Sequence, residues 1–157
     1  MDPGDLGGAI NDLSSFQIPG SDKIYTSYGV AYPHPHWPGV LDYVGTGLLE
    51  NATSQYSWLA WGCDLDGNSY YVSYSSPAEA SGTPAGIDLM SVTDIGPEQA
   101  TVDKVFDELK KLGNEEITRL ASAMIRNIQD GARDGLPRVT TCDAECKTNN
   151  DLVDIIG

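Results

Sequence analysis

The sequence predicts an α+β protein: a curved antiparallel β-sheet or partial barrel followed by two C-terminal α-helices. Three observations carry this expectation. Segments with a period of two, rich in Tyr, Val, Ile and Trp, fill residues 23–93, whereas apolar residues recur at helical spacing over residues 102–128. Strands precede helices instead of alternating with them, as in an antiparallel sheet with helices packed on one side. Finally, YSWLAWGCDLDGNSYYVSY, residues 56–74, reads as a β-hairpin. Asp66-Gly67 forms its two-residue turn, because glycine tolerates the positive φ of a type I′ turn.

Residues 1–22, rich in Gly, Asp and Ser without a sustained period, are expected to form a flexible N-terminal arm. KIYTSYGVAY then alternates as a strand, with Ile24, Thr26, Tyr28 and Val30 on one side and Tyr25, Ser27, Gly29 and Ala31 on the other. PHPHWPG breaks it, because its prolines cannot donate to a ladder. A short strand, Val40 to Val44, and a loop around Gly45 to Ser54 lead into the hairpin. A two-residue turn there sets Cys63 opposite Tyr70, Trp61 opposite Val72 and Leu59 opposite Tyr74, all on one packed apolar face. Trp58, Ala60 and Gly62 then share a roomier face with Tyr71, Ser73 and Ser75. SSPAEASGTPAG is a loop, and IDLMSVT resumes as a strand with Ile87, Leu89 and Ser91 opposed to Asp88, Met90 and Val92. Pro97 opens a helix whose stripe is Val102, Val105, Phe106, Leu109 and Leu112, ended by Gly113. Asn114 caps a second helix, with Ile117, Leu120, Ala121, Met124, Ile125 and Ile128 as its stripe and Gly131 as its stop. Residues 23–132 thus read as a single sheet-plus-helix domain and residues 133–157 as a C-terminal tail.

A chain of 157 residues is long enough to bury a core without several disulfides. Its formal net charge of -14 argues against nucleic acid and anionic membrane surfaces as partners, since both require a clustered positive patch. No run approaches the ~18 apolar residues of a spanning helix. No charged start followed by an apolar stretch marks a signal peptide, so the chain reads as a mature secreted form beginning with an added Met1, otherwise as cytoplasmic. The triplet Asn51-Ala52-Thr53 is a glycosylation sequon if the chain is secreted. Three cysteines permit one disulfide, from Cys63 to Cys142 or Cys146, with one thiol left over.

No metal or cofactor is expected. His34 and His36 are two apart, but Pro33, Pro35 and Pro38 make a rigid turn of this segment, with no Cys or carboxylate cluster nearby in sequence. The run Asp64-Leu65-Asp66-Gly67-Asn68 departs from a calcium loop, with Gly67 at the fourth place and Ser75 where a bidentate Glu is required. Neither a G-x-S-x-G elbow nor a glycine-rich phosphate loop is present. The carboxylates Asp103, Asp107 and Glu108 occupy the polar face of a helix. Asp88 differs, because it lies inside a strand.

Eight tyrosines and three tryptophans supply the main functional clue, since aromatics with a polar tip line many apolar pockets. The sequence points first to binding of a small apolar ligand, with Trp58, Tyr71, Tyr43 and Met90 as contact residues. An alternative is a small enzyme of the isomerase, cyclase or dehydratase type, with Asp88, Tyr70, His34 or His36 as acid or base. A third reading is a secreted interaction module whose exposed aromatics bind another protein.

YGVAYPHPHWPGVLDY, SQYSWLAWGCD, and IDLMSVT followed by Pro97 and TVDKVFDELKKLG together resemble the C-terminal half of the lipocalin family, over roughly residues 28–113. The likeness lies in a small-residue strand before a proline-containing turn, a strand with a tyrosine and a cysteine, and a last barrel strand leading into an outer helix. It implies a ligand calyx. The chain departs from the family's pattern in having no Gly-x-Trp motif near its start, no arginine after the final strand, where Ser91, Val92 and Thr93 stand, and an extra helix. A sheet with too few strands has an open edge, and a homodimer is one way to complete it.

Overall fold

A computed structural model of the chain describes residues 8–18, 20–128, 130–131 and 142–152, and in it six strands form one antiparallel sheet in sequence order. The strands are β1 (Ile10–Gln17), β2 (Ile24–Pro33), β3 (Val40–Gly45), β4 (Thr53–Cys63), β5 (Ser69–Ser75) and β6 (Gly86–Ser91). Helices α1 (Gln99–Lys111), α2 (Glu115–Ser122) and α3 (Ala144–Thr148) follow. The α+β class and the strand-then-helix order are as expected from sequence. No helix among the described residues is long and apolar enough to cross a membrane.

The chain divides into two compact units: Met1–Tyr56 with Pro77–Pro84 and Pro137–Gly157, and Ser57–Ser76 with Ala85–Leu136. The stretch expected as one sheet-plus-helix domain, residues 23–132, contributes to both units. Residues 1–7 of the expected arm, and 133–141 and 153–157 of the expected tail, lie outside the described residues.

In the first unit, β1 occupies part of the expected arm and pairs with β2 from Ile10↔Ala31 to Gln17↔Ile24. INDLSSFQ shows no alternation because most of this outermost strand faces solvent, so the ladder to β2 holds it rather than a buried face. β2 is covered far more fully, with Tyr25, Tyr28 and Ala31 buried. Part of the expected tail contributes here. Asn149 is fully buried, and its amide works as a supplementary peptide group on β2: Oδ1 accepts from Tyr28 N (2.8 Å), and Nδ2 donates to Tyr28 O (3.1 Å) and to Thr46 O. The backbone of Thr148 comes so close to Gly47 that a Cβ there would lie 1.9 Å from the Thr148 carbonyl oxygen. Gly47, at φ +56°, is thus required on two counts.

The cysteines pair differently from expectation. Cys142 and Cys146 bridge each other, and Cys63 is free and exposed. The physical reason is local. Asp143 caps α3 by accepting from Cys146 N, and this turn sets the Cα atoms of Cys142 and Cys146 5.2 Å apart, within bridging range.

In the second unit, Val72 and Ile87 from the sheet pack against Val105 and Leu109 of α1 and Ala121 of α2. Helix α1 begins at Gln99 after Glu98, two residues beyond the expected Pro97. Asn114 caps α2 as expected, its Oδ1 accepting from Ile117 N at 3.1 Å. Yet α2 ends at Ser122, and Ile125 (86% exposed) and Ile128 (84%) form no part of a buried stripe. Beyond α2, the Arg126 guanidinium donates to Ile95 O (2.6 Å) and Pro97 O (2.7 Å), holding the chain against the β6–α1 loop instead of continuing the helix.

Candidate functional site

The β4–β5 hairpin organises the second unit. Its turn has three residues, not two: Asp64 N donates to Asn68 O, Gly67 N donates to Asp64 O, and Gly67 takes φ +85°. The Asp64 carboxylate sets this geometry by accepting from Asp66 N (3.0 Å), Asn68 N (2.7 Å) and Asn68 Nδ2 (3.2 Å). Glu98 carries the loop onto the start of α1. Its carboxylate accepts from the Thr101 hydroxyl and the Leu65 backbone, and it titrates below the usual carboxylate range, chiefly because of the Thr101 bond.

The extra turn residue reverses part of the expected facing, because a one-residue slip moves side chains to the opposite side. Gly62, not Cys63, lies against Tyr70: a Cβ at Gly62 would be 2.9 Å from the Tyr70 hydroxyl. Trp61 is 73% exposed and Cys63 is exposed, so neither joins the packed face assigned to them from sequence. Further along β4, the consecutive residues Leu59 and Ala60 both pack on the core of Val72, an interruption of alternation of the kind a β-bulge produces. Beyond it the expected relation returns, and Trp58 stacks on Tyr71 with centroids 5.4 Å apart and planes at 20°.

The face of β4, β5 and β6 turned away from α1 and α2 is built from these residues, with Ser73 buried within it. Tyr71 pairs with Met90 and Ser73 with Asp88, on the side opposite Tyr70, Val72, Tyr74, Ile87 and Leu89, which meet the helices. Trp58 (46% exposed), Tyr71 (36%) and Met90 (48%) remain open there. A groove of about 610 Å³ runs beside β6, whose consecutive residues Ile87 to Ser91 form one wall. Val102, Phe106, Leu120 and Met124 supply its apolar lining. Met90 belongs to both features, facing Tyr71 across the ladder and bordering the groove.

The remaining residues singled out from sequence are on the helix-covered side of the second unit or in the first unit. Tyr70 is on the helix-covered side, half-buried against the core, so it does not join Asp88. His34 and His36 occupy the β2–β3 turn of the first unit. His36 N donates to His34 Nδ1 (3.2 Å), and the His34 ring stacks on Trp37 at 4.4 Å. Tyr43, also in the first unit, lies over Gly29, where any Cβ would meet the phenol ring, and packs edge-on to Tyr56 at 5.8 Å. Burial, then the charges of Asp12 and Tyr56, push the Tyr43 hydroxyl up to about 12.

That shift has a measurable consequence. With its folded value raised above the ordinary value of 10.0, Tyr43 contributes stability that is complete below about pH 10 and lost as pH rises through about 12. Phenolate absorbance should show one tyrosine ionising near 12, and Tyr43→Phe should abolish that late step and flatten the pH dependence of unfolding over the same interval.

Sequence reasoning put Trp58 and Tyr71 on one face and named Met90 as a contact residue, but missed the groove, because its apolar wall comes from helix residues that read as ordinary core. It also missed Asn149, which carries no periodic or motif signal.

Fold and site together define an α+β protein with an antiparallel sheet that presents aromatic side chains on an open face beside an apolar groove. No family model matches the chain, and no solved structure matches it. A protein of Botryotinia fuckeliana (strain B05.10), "Botcinic acid biosynthesis cluster B protein 12", is 30% identical over 132 residues, covering 83% of this chain and 59% of that relative. The chain therefore spans less than two thirds of the length of the curated relative it matches.

Proposed function

We propose that the second unit binds a small apolar ligand, held in the groove beside β6 and reaching over Met90 onto the Trp58–Tyr71 stack. The observation that carries this reading is the convergence at Met90 of an open aromatic face and an apolar groove whose volume falls in the range of small-molecule sites. The antiparallel sheet is compatible with the lipocalin resemblance, which implies the same kind of cargo. The relative's name assigns it to a biosynthesis cluster, and this supports the alternative of an enzyme acting on an apolar metabolite in the same groove. For that alternative Asp88 is the acid or base, since Tyr70 lies on the other face of the sheet. The Cys142–Cys146 disulfide fits a secreted protein. The outer sides of β1 and β6 end the sheet, and a second copy pairing along one of them is the homodimer this reading admits.

Thermal unfolding with a panel of neutral apolar metabolites tests the ligand reading, because a bound ligand raises the transition. Trp58→Ala should weaken binding at least tenfold while leaving the fold intact, the side chain being half exposed. No shift with any compound rejects the reading. A second reading has its own observation. Trp37, Trp58 and Trp61 are all exposed, and Trp61 stands beside an exposed Leu65 turn, which supports a protein-interaction surface. Loss of partner capture on Trp61→Ala, with metabolite binding unchanged, would favour that reading.

A further inference from the structure

The ligand face carries one charged group that packing does not explain. Asp88 lies within β6, opposite Ser73 and diagonal to Tyr71, a placement that sets Cβ atoms about 7 Å apart. Its carboxylate is exposed, and no cation lies against it among the described residues. The cation of the adjoining groove, Arg126, is turned away from ligand duty, because both terminal nitrogens are given to the carbonyls of Ile95 and Pro97. Asp94, the other groove carboxylate, accepts from Ile95 N at 2.9 Å. The site therefore has an apolar wall, a stacked Trp–Tyr pair, a thioether and negative charge with no counter-ion among the described residues, on a chain of net charge -14.

We infer that the ligand of this face is a small apolar molecule bearing a cationic nitrogen, which sits against Asp88 and over the Trp58–Tyr71 pair. An ammonium is attracted by the faces of Trp and Tyr rings and by a carboxylate at once, whereas a carboxylate ligand would meet repulsion from Asp88 and find Arg126 already occupied. The apolar remainder fits the groove wall of Val102, Phe106 and Met124. This inference rests on the ligand-binding reading above and adds to it the sign of the ligand's charge.

Titration calorimetry with phenylpropylamine, phenylpropanol and phenylpropionate at neutral pH tests it, since the three share one apolar body and differ in head-group charge. The amine should bind about tenfold more tightly than the alcohol, and the carboxylate most weakly. Asp88→Asn should remove most of the amine's advantage over the alcohol and leave the alcohol unchanged. Trp58→Phe, which keeps a ring but weakens the cation–π attraction, should reduce amine binding more than alcohol binding. Equal affinities, tightest binding of the carboxylate, or an amine preference undiminished by Asp88→Asn would each overturn the inference while the ligand reading stands. Absence of binding by all three overturns it as well. The ligand reading itself falls only if the neutral metabolite panel is also silent.

Discussion

Asn149→Ala should lower the unfolding free energy by about 3 kcal/mol, one of the largest effects of any single substitution in the first unit. The side chain has no exposed surface, and its loss leaves the Tyr28 N–H without its acceptor and removes a donor from two carbonyls. A buried group left unpaired costs about 1–3 kcal/mol, more than the net worth of the bond itself. Asn149→Asp provides the sharper comparison. The carboxylate keeps an acceptor for Tyr28 N but turns a second oxygen on the carbonyls of Tyr28 and Thr46, so it should destabilise at least as much at neutral pH and recover partly on acidification. Urea unfolding followed by far-ultraviolet circular dichroism at two pH values checks both variants. A cost below about 1 kcal/mol for Asn149→Ala would mean that the amide is not what holds residues 142–152 to β2.

Leu109→Ala should cost about 3–4 kcal/mol, because a fully enclosed leucine loses both its transfer energy and the contacts that line the resulting cavity. Leu109 is 2% exposed and belongs to the cluster of Val72, Ile87, Val105 and Ala121 that joins α1 and α2 to the sheet. Leu112, one turn along and exposed, is the control: Leu112→Ala should change stability by no more than about 0.5 kcal/mol. The pair separates burial from residue type, since both are leucines, Leu109 in the last turn of α1 and Leu112 directly after it. Chemical denaturation of the two variants side by side gives the difference directly.

Much of the second unit was legible because its signals are local and repeated. Val72, Ile87, Val105 and Leu109 occupy positions of regular period, and Asn114 announced α2 through its side-chain geometry. The facing of β4 was legible only in part. Asp66-Gly67 carries the same residues in a two-residue and in a three-residue turn, and the Asp64 carboxylate, bonding Asp66 N and Asn68 N, decides between them. Side-chain capture of a backbone donor leaves no periodic trace. Trp61 and Cys63 were accordingly placed on the wrong side, while Trp58 and Tyr71 met as expected once Leu59 and Ala60 had restored the alternation.

What stayed hidden in the first unit is nonlocal. β1 takes its conformation from the neighbouring strand rather than from its own apolar pattern, and Ile125 and Ile128 show that helical spacing alone does not end in burial where another interaction, here that of Arg126, claims the chain. The candidate site divides in the same way. Its aromatic residues stood out by type, whereas the groove depends on how α1 and the residues after α2 lie beside β6.

The docking of Asn149 onto Tyr28 also sets an order of events during synthesis. These partners are separated by 121 residues, so the closure that completes the first unit must wait until the segment carrying Asn149 has left the ribosome. The second unit, whose core runs from Leu59 to Met124, has all its parts earlier. Strands β1 to β3 therefore emerge before the second unit and are completed after it, and for that interval the backbone groups of Tyr28 that Asn149 later covers are open to chaperones or to mispairing with other nascent chains.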